Sequence, residues 1–156
     1  MGDTVIELNL PLQKEDTRNL APGDLVRVSG EVFTGRSRFH IRAIEENIFP
    51  PIEYEDINCF FHCGPVMKRN PPGNAWEIVS IEPTSSIRFE KYGGDVVRKF
   101  NLGTLIGKTT MGPGTKAALK ETGGVHLTKI GICGNQLARQ VTRVGAVYFL
   151  EELGKT

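Results

Sequence analysis

The second half of the chain alternates helix patterns with strand patterns, and this alternation restricts the fold more than any other feature of the sequence. Strand patterns cover residues 102–106, 125–133 and 146–149, and helix patterns cover residues 93–100, 115–122 and 135–144. Helices between successive strands are typical of parallel sheets, because a parallel pair needs a long crossover connection. We therefore predict an α/β fold in which helices flank a layered sheet.

The first half has a different pattern. Apolar runs at residues 59–63 and 76–81 are separated by a turn at 69–74, which predicts a β-hairpin. Residues 25–34 suit a strand bent at Gly30, with short helices at 11–20 and 38–46. The hairpin makes the predicted sheet mixed rather than wholly parallel.

Composition limits the classes of protein to which the chain can belong. With 156 residues and 39% hydrophobic content, it is long enough for one core, so we predict a single domain over residues 1–156. A formal charge of +1 offers no basic face for nucleic acid, and no apolar run is long enough to span a membrane. Three cysteines, an odd number, fit a reducing compartment. We expect a cytoplasmic protein.

A cluster of hydroxyls and one arginine follows the strand pattern at 76–81. Thr84, Ser85, Ser86 and Arg88 fall within five positions, on a turn where backbone N–H groups can also face a ligand. Side chains of this kind bind carboxylates or phosphates. The alternative is that they are ordinary caps and turns, since Ser and Thr beside proline are common for local reasons.

Two further cations occupy similar positions. Lys108 lies between Gly107 and a pair of threonines where a strand pattern stops, and Arg36 precedes the first turn of a predicted helix. Loops at strand ends are the usual ligand sites of layered α/β folds, so these cations extend the candidate anion site. For Arg36 the alternative is a solvated surface arginine.

The Gly-Lys-Thr step at Lys108 also suggests a phosphate-binding loop of a nucleotide hydrolase. That motif requires a glycine five residues before Gly107. The position is occupied by Leu102, and Gly103 is one residue out of register. We therefore do not predict nucleotide hydrolysis.

The cysteines do not form a metal-binding pattern. In a strand, Cys59 and Cys63 would face one side and His62 the other, so this Cys-x3-Cys segment does not converge on a metal. Cys133 is isolated far along the chain. We predict no metal held by this chain alone.

Several blocks, taken together and in order, resemble one known family. They are Gly23-Asp24, Ser29-Gly30, Thr34-Gly35-Arg36 with His40, Gly64-Pro65, Pro83-Thr84-Ser85-Ser86 with Arg88, Gly107-Lys108 and Gly145-Ala146-Val147-Tyr148-Phe149. The chain is similar over nearly its whole length to the β subunit, or C-terminal domain, of the iron–sulfur-dependent class I hydro-lyases. That family includes class I fumarate hydratase and L-tartrate dehydratase.

The resemblance implies a swivelling β/β/α domain and a set of site residues. It assigns Arg36, Thr84, Ser85, Arg88 and Lys108 to substrate binding, and Thr84 and Lys108 to catalysis, with Thr84 as the base. It also implies a 4Fe-4S cluster held by a separate α subunit, which acts as a Lewis acid on the leaving hydroxyl. This chain would then be inactive alone and part of a hetero-oligomer.

The expected reaction is reversible hydration of fumarate to malate, a small dicarboxylate. Two alternatives stay open at the level of sequence. One is an L-tartrate dehydratase β subunit, and the other is a noncatalytic anion-binding module on the same scaffold.

Overall fold

The computed structural model describes residues 4–71 and 75–153. The strands in these ranges are β1 Ile6–Asn9, β2 Val26–Ser29, β3 Phe33–Gly35, β4 Cys59–His62, β5 Val66–Asn70, β6 Ala75–Ser80, β7 Thr104–Gly107 and β8 Val125–Thr128. The helices are α1 Lys14–Thr17, α2 Ser37–Ile41, α3 Glu90–Lys99, α4 Pro113–Thr122, α5 Gly134–Ala138 and α6 Leu150–Leu153. A π-helical turn, Arg42–Glu46, continues α2, and a 3-10 helix, Ser86–Phe89, precedes α3.

The central sheet has the order β3-β4-β7-β8, and every pair in it is parallel. All four residues of β4 are buried, as expected for an inner parallel strand covered on both faces. The main apolar core lies where α3 and α4 pack on this sheet, around Phe60, Val97, Leu105 and Leu119.

Two smaller sheets accompany the central one. Strands β1 and β2 form a parallel pair, and β5 and β6 form an antiparallel hairpin. The predicted α/β class, with parallel and antiparallel strands and flanking helices, is confirmed. The prediction of one mixed sheet is corrected, because the hairpin forms a sheet of its own.

Several predicted elements are found close to their expected positions. The buried strand at 59–63, the strand at 76–81 and the short helices near 11–20 and 38–46 are all present. The predicted hairpin of 59–63 with 76–81 is wrong, because β6 pairs with β5 while β4 belongs to the parallel central sheet. Part of the predicted turn at 69–74 lies outside the described residues. Helix α4 starts with Pro113 in its first turn and ends at Gly123, whose φ is 76°. Proline at the start and a left-handed glycine at the end are strong local helix signals.

Residues 25–34 differ from the prediction. Instead of one bent strand, two strands form there and belong to different sheets. Gly30 separates them with a φ of 131°, and a Cβ on it would lie 2.7 Å from the Leu10 Cβ. A conformation open mainly to glycine therefore redirects the chain from one sheet to the next.

Helix α3 begins at Glu90, not at residue 93 as predicted. Gly93 lies inside the helix, where a Cβ would come 2.1 Å from the Thr115 Oγ1 of α4. The glycine therefore permits close contact between two helices rather than marking a helix start.

The last third of the chain has less regular structure than predicted. Strand β8 ends at Thr128 instead of residue 133, and α5 ends at Ala138 instead of residue 144, ahead of β-branched Val141 and Thr142, which are weak helix formers. Residues 146–149 do not form the predicted strand; Phe149 has a φ of 55°, which ends extended backbone there.

Among the described residues, none of the helices combines the length and the apolar character needed to cross a bilayer.

Candidate functional site

Three parallel strands end at one edge of the central sheet. Strand β3 is followed at once by Arg36, and β7 by Lys108. The register pairs Gly35 with His62 of β4, and Phe61 of β4 with Ile106 of β7. Neighbouring strands lie about 4.8 Å apart, so the backbones of Arg36 and Lys108 are roughly 10 Å apart, with the end of β4 between them.

The hydroxyl segment crosses the ends of β4 and β7. Pro83 forms an antiparallel bridge with Cys63, and the backbone N–H of Thr84 donates to the His62 carbonyl at 2.7 Å. Ser85 forms a parallel bridge with Lys108. The structure therefore places Thr84 and Ser85 directly beside Lys108.

Both arginines also belong to this edge. The Arg88 Nη2 donates to the Thr84 Oγ1 at 3.1 Å, so its guanidinium is directed back over the segment. Burial raises the pKa of the Cys63 thiol, and the positive charge of Arg36 partly opposes that rise. The register that pairs Gly35 with His62 puts Arg36 at the level of Cys63, next to the bridge with Pro83.

Arg36, Arg88 and Lys108 are exposed and have no acidic partners among the residues that the structure describes. Across residues 4–71 and 75–153, no carboxylate lies within salt-bridge distance of any of the three. Some other cations are paired, for example Lys129 with Glu82 at 2.6 Å, while others, such as Arg139, have no ion pair among the described residues. Three unpaired cations around a set of hydroxyls favour binding of a small anion with more than one negative charge.

Buried aromatic rings form the floor beneath these cations. The His40 Nδ1–H donates to the Arg36 carbonyl at 2.9 Å, and the His40 ring stacks on Phe89 with centroids 4.4 Å apart. Burial lowers the pKa of His40 to about 4 and that of His62 to about 2. Both rings are therefore neutral at neutral pH and add no positive charge below the site.

Glu90 binds the loop that follows Lys108. Its carboxylate accepts the backbone N–H groups of Gly112 and Gly114, at 2.7 and 2.9 Å, and both the N–H and the hydroxyl of Thr115. Burial opposes ionisation of Glu90, but these hydrogen bonds outweigh it and lower its pKa. The backbone donors at the amino end of α4 thus bind a carboxylate of the chain itself. This is a second argument against a phosphate-binding loop at this position.

The cysteines do not fit an iron–sulfur cluster. Cys59 and Cys63 are buried, and burial raises the pKa of the Cys59 thiol to about 12, whereas cluster ligands are thiolates. Cys133 is exposed. In the part of the chain that the structure describes, no three His, Cys, Asp or Glu side chains are grouped as metal ligands.

Two grooves on the described part of the chain differ in their relation to this edge. One, of about 410 Å³, is lined by β6, α5 and residues 141–144. The other runs between β2 and residues 140–149, and it is also lined by Gly35 and Thr128, at the carboxyl ends of β3 and β8. Arg36, Arg88 and Lys108 line neither groove.

All five predicted site residues, Arg36, Thr84, Ser85, Arg88 and Lys108, therefore lie at one edge of the sheet. Sequence reasoning did not find His62 and Glu90 as parts of the site. Their partners are 22 to 25 positions away along the chain, so no local pattern signals them.

Comparisons with known proteins show the family of the chain. The sequence model of the family described as Fumarase C-terminus matches residues 2–155. The chain is 40% identical over 149 residues to a putative fumarate hydratase class I of Geobacillus stearothermophilus, a match that covers 94% of this chain and 28% of that protein.

Two further relatives are described as subunits. The putative L(+)-tartrate dehydratase subunit beta of Methanocaldococcus jannaschii is 34% identical over 92% of this chain and 73% of its own length. The L(+)-tartrate dehydratase subunit beta of Escherichia coli K12 is 32% identical, with 92% and 70% covered. The chain thus spans about a quarter of the fumarate hydratase and most of each tartrate dehydratase subunit.

Proposed function

The chain belongs to the Fumarase C-terminus family, and from that premise we propose that it is the β subunit of a hydro-lyase that reversibly hydrates fumarate to malate. In this proposal it supplies the groups that bind the two carboxylates and move a proton. A partner subunit completes the active site.

One observation carries the proposal: three exposed cations, with no acidic partners among the described residues, lie with the Thr84–Ser85 segment at the carboxyl edge of three parallel strands. A C4 dicarboxylate carries two negative charges and needs cations on both ends. Arginine suits this task, because its guanidinium fork binds a carboxylate through two parallel hydrogen bonds. Arg36 and Arg88 are the proposed carboxylate clamps.

Thr84 is the proposed base. A threonine hydroxyl is a poor base in water, but here its oxygen already accepts a hydrogen bond from the Arg88 guanidinium at 3.1 Å. A cationic donor stabilises the deprotonated oxygen more than the neutral hydroxyl. The guanidinium has further N–H groups for a substrate carboxylate, so Arg88 can hold the substrate and support Thr84 at once.

Lys108 is proposed to stabilise the transition state. When a proton leaves the carbon next to a carboxylate, negative charge builds up on that carboxylate. An ammonium group already in place interacts more strongly with this charge than with the ground state, so it lowers the barrier. Lys108 is fixed beside Ser85 by the bridge between the two residues.

The rest of the site is assigned to a partner. The three cations are exposed, and the cysteines of this chain do not fit a cluster, so we place the 4Fe-4S cluster in an α subunit. Two relatives named as β subunits are consistent with a hetero-oligomer. We also propose a cytoplasmic location for this complex.

The test is reconstitution. The chain is coexpressed with a candidate α subunit under anaerobic conditions, and malate formation from fumarate is followed for the complex and for each subunit alone. Turnover by the complex only is the expected result. Stable binding of fumarate without turnover in the complex would favour the noncatalytic anion-binding module.

A second candidate is L-tartrate dehydration, which the names and coverage of the two β-subunit relatives favour. Tartrate has the same two carboxylates with an additional hydroxyl, so the same clamps would serve. The ratio of kcat/KM for malate to kcat/KM for L-tartrate in the reconstituted complex decides between the two. A ratio above one supports the fumarate assignment, and a ratio below one supports the tartrate assignment.

A further inference from the structure

Ser86 holds the backbone of Lys108 from both sides. Its Oγ accepts the Lys108 N–H at 3.1 Å, and its own backbone N–H donates to the Lys108 carbonyl at 3.0 Å. The side chain is fully buried, with 0% exposure. Because both polar groups of the Lys108 backbone are bound, the direction in which its side chain leaves the sheet is fixed.

His62 fixes Ser86 in turn. The His62 Nδ1 lies 3.0 Å from the Ser86 Oγ, and the ring is 1% exposed at the end of β4. Whichever of the two groups donates, the contact selects one rotamer of Ser86. The hydroxyl thus connects the ends of β4 and β7.

Gly107 makes room for this hydroxyl. A Cβ on Gly107 would lie 1.8 Å from the Ser86 Oγ, far closer than two atoms can approach. The residue before Lys108 must therefore lack a side chain for the Ser86 contact to exist. The hydrogen bond between Ser86 and Lys108 therefore depends on the residue at position 107 as well as on Ser86 itself.

We propose that Ser86, oriented by His62, is a positioning residue that sets Lys108 against Thr84 and Arg88. Ser86 lies two positions after Thr84 and two before Arg88, so its hydroxyl ties the segment that carries both residues to the backbone of Lys108. It does not touch the dicarboxylate and acts through Lys108. This inference rests on the proposed hydro-lyase function.

The test compares variants in the complex with the α subunit. Ser86→Ala removes the hydroxyl, and Thr17→Val is the matched control. Thr17 is also buried, and its hydroxyl donates to the Gly123 carbonyl at 2.6 Å, but Gly123 lies at the opposite end of α4 from the Lys108 loop. Each variant removes one buried hydroxyl with its hydrogen bonds, so both should lower Tm by similar amounts.

Only Ser86→Ala should change catalysis. We expect kcat/KM for the dicarboxylate to fall by about tenfold to a hundredfold, mainly through kcat, because displacing a charged group by a fraction of an ångström weakens its contact with the transition state. Thr17→Val should keep kcat/KM within about twofold of wild type.

A second pair of variants keeps the test valid if Ser86→Ala folds poorly. His62→Asn retains a polar atom near the position of Nδ1, whereas His62→Leu does not. The inference expects His62→Asn to retain most of the kcat that His62→Leu loses.

The outcomes separate the two proposals. A wild-type complex without hydro-lyase turnover overturns the proposed function, and this inference with it. A wild-type complex that turns over while Ser86→Ala keeps wild-type kcat/KM overturns the positioning role alone, as does equal loss in His62→Asn and His62→Leu.

Discussion

Two neighbouring regions of the molecule treat negative charge in opposite ways. At the amino end of α4, the Glu90 carboxylate accepts four hydrogen bonds of 2.7 to 3.2 Å. At the edge formed by β3, β4 and β7, Arg36, Arg88 and Lys108 have no such partner among the described residues. Helix α3 connects the two regions, because Glu90 begins the helix that follows Arg88.

The difference is that one anion-binding region already holds a carboxylate of the chain, whereas the other holds none among the described residues. A carboxylate from the chain itself joins α3 to α4 and holds the loop that follows Lys108. A carboxylate placed at the cationic edge would neutralise the charges that a dianionic substrate needs. Substitutions at Glu90 should therefore affect mainly stability, and substitutions at the edge mainly activity.

The largest effect is expected for Arg88→Ala in the reconstituted complex. Losing a carboxylate clamp and the donor to Thr84 should lower kcat/KM by at least about thirtyfold, since truncating one partner of a charged hydrogen-bonded pair costs about 2 to 5 kcal/mol. Tm should change little because Arg88 is exposed. Steady-state kinetics and thermal unfolding check both parts.

Arg139→Ala is the control for Arg88→Ala. Arg139 is also exposed and lacks a salt-bridge partner among the described residues, but it lines the groove beside α5. It should keep full activity. Equal activity of the two variants would show that the cationic edge does not bind substrate.

Glu90→Gln should destabilise the fold by about 2 kcal/mol. The amide loses the charge that four donors share, and one of its two polar groups is a donor facing other donors. Urea unfolding gives the difference. Glu121→Gln, which removes an exposed ion pair with Arg98, should cost less than about 1 kcal/mol. Equal losses of unfolding free energy in Glu90→Gln and Glu121→Gln would contradict a structural role for the Glu90 hydrogen bonds.

Gly107→Ala should destabilise by about 1 to 3 kcal/mol, because its Cβ overlaps the Ser86 hydroxyl. Adding Ser86→Ala removes the overlapping atom, so the double variant should be more stable than the sum of the two single effects predicts. A double-mutant cycle by urea unfolding measures this coupling. Strictly additive effects would mean that the two side chains do not meet.

The last expected effect is a gradual pH dependence of stability from the buried ring beneath Arg36. The pKa of His40 is lowered from 6.5 to about 4, so the unfolded chain binds more protons than the folded one between these values. Stability is then complete above pH 6.5 and falls as the pH drops towards 4, by at most about 1.4 kcal/mol per pH unit from this ring. His62, also lowered, adds to the fall.

His40→Gln should flatten that dependence. The variant removes the titrating ring and keeps a side-chain N–H for the Arg36 carbonyl, so the slope of unfolding free energy against pH between 4 and 6.5 should decrease. Unfolding in urea at several pH values measures the slope. An unchanged slope would show that His40 is not a neutral buried ring.

Sequence reasoning located elements with strong local signals. The run at 59–63 is apolar and short, as a buried inner strand requires, and α4 has Pro113 and Gly123 at its ends. It failed where tertiary contacts decide the structure. Gly30 redirects the chain between two sheets, and Gly93 allows α3 and α4 to touch, and neither role has a local pattern.

The sequence predicted the positions of the three cations, but not the hydrogen bonds that hold the backbone beneath them. Arg36, Arg88 and Lys108 each follow or precede a recognisable element, so their positions at strand ends could be read from the sequence. The contact of His62 with Ser86 depends on the register of β4 with its neighbours. Only the folded chain shows it.

The most direct test of the cationic edge as a substrate site is a structure of the reconstituted complex with a bound dicarboxylate. The account predicts one carboxylate about 3 Å from the Arg36 guanidinium and the other at a similar distance from Arg88, with the Lys108 ammonium facing one of them. A dicarboxylate bound elsewhere, with all three cations left in solvent, would contradict it.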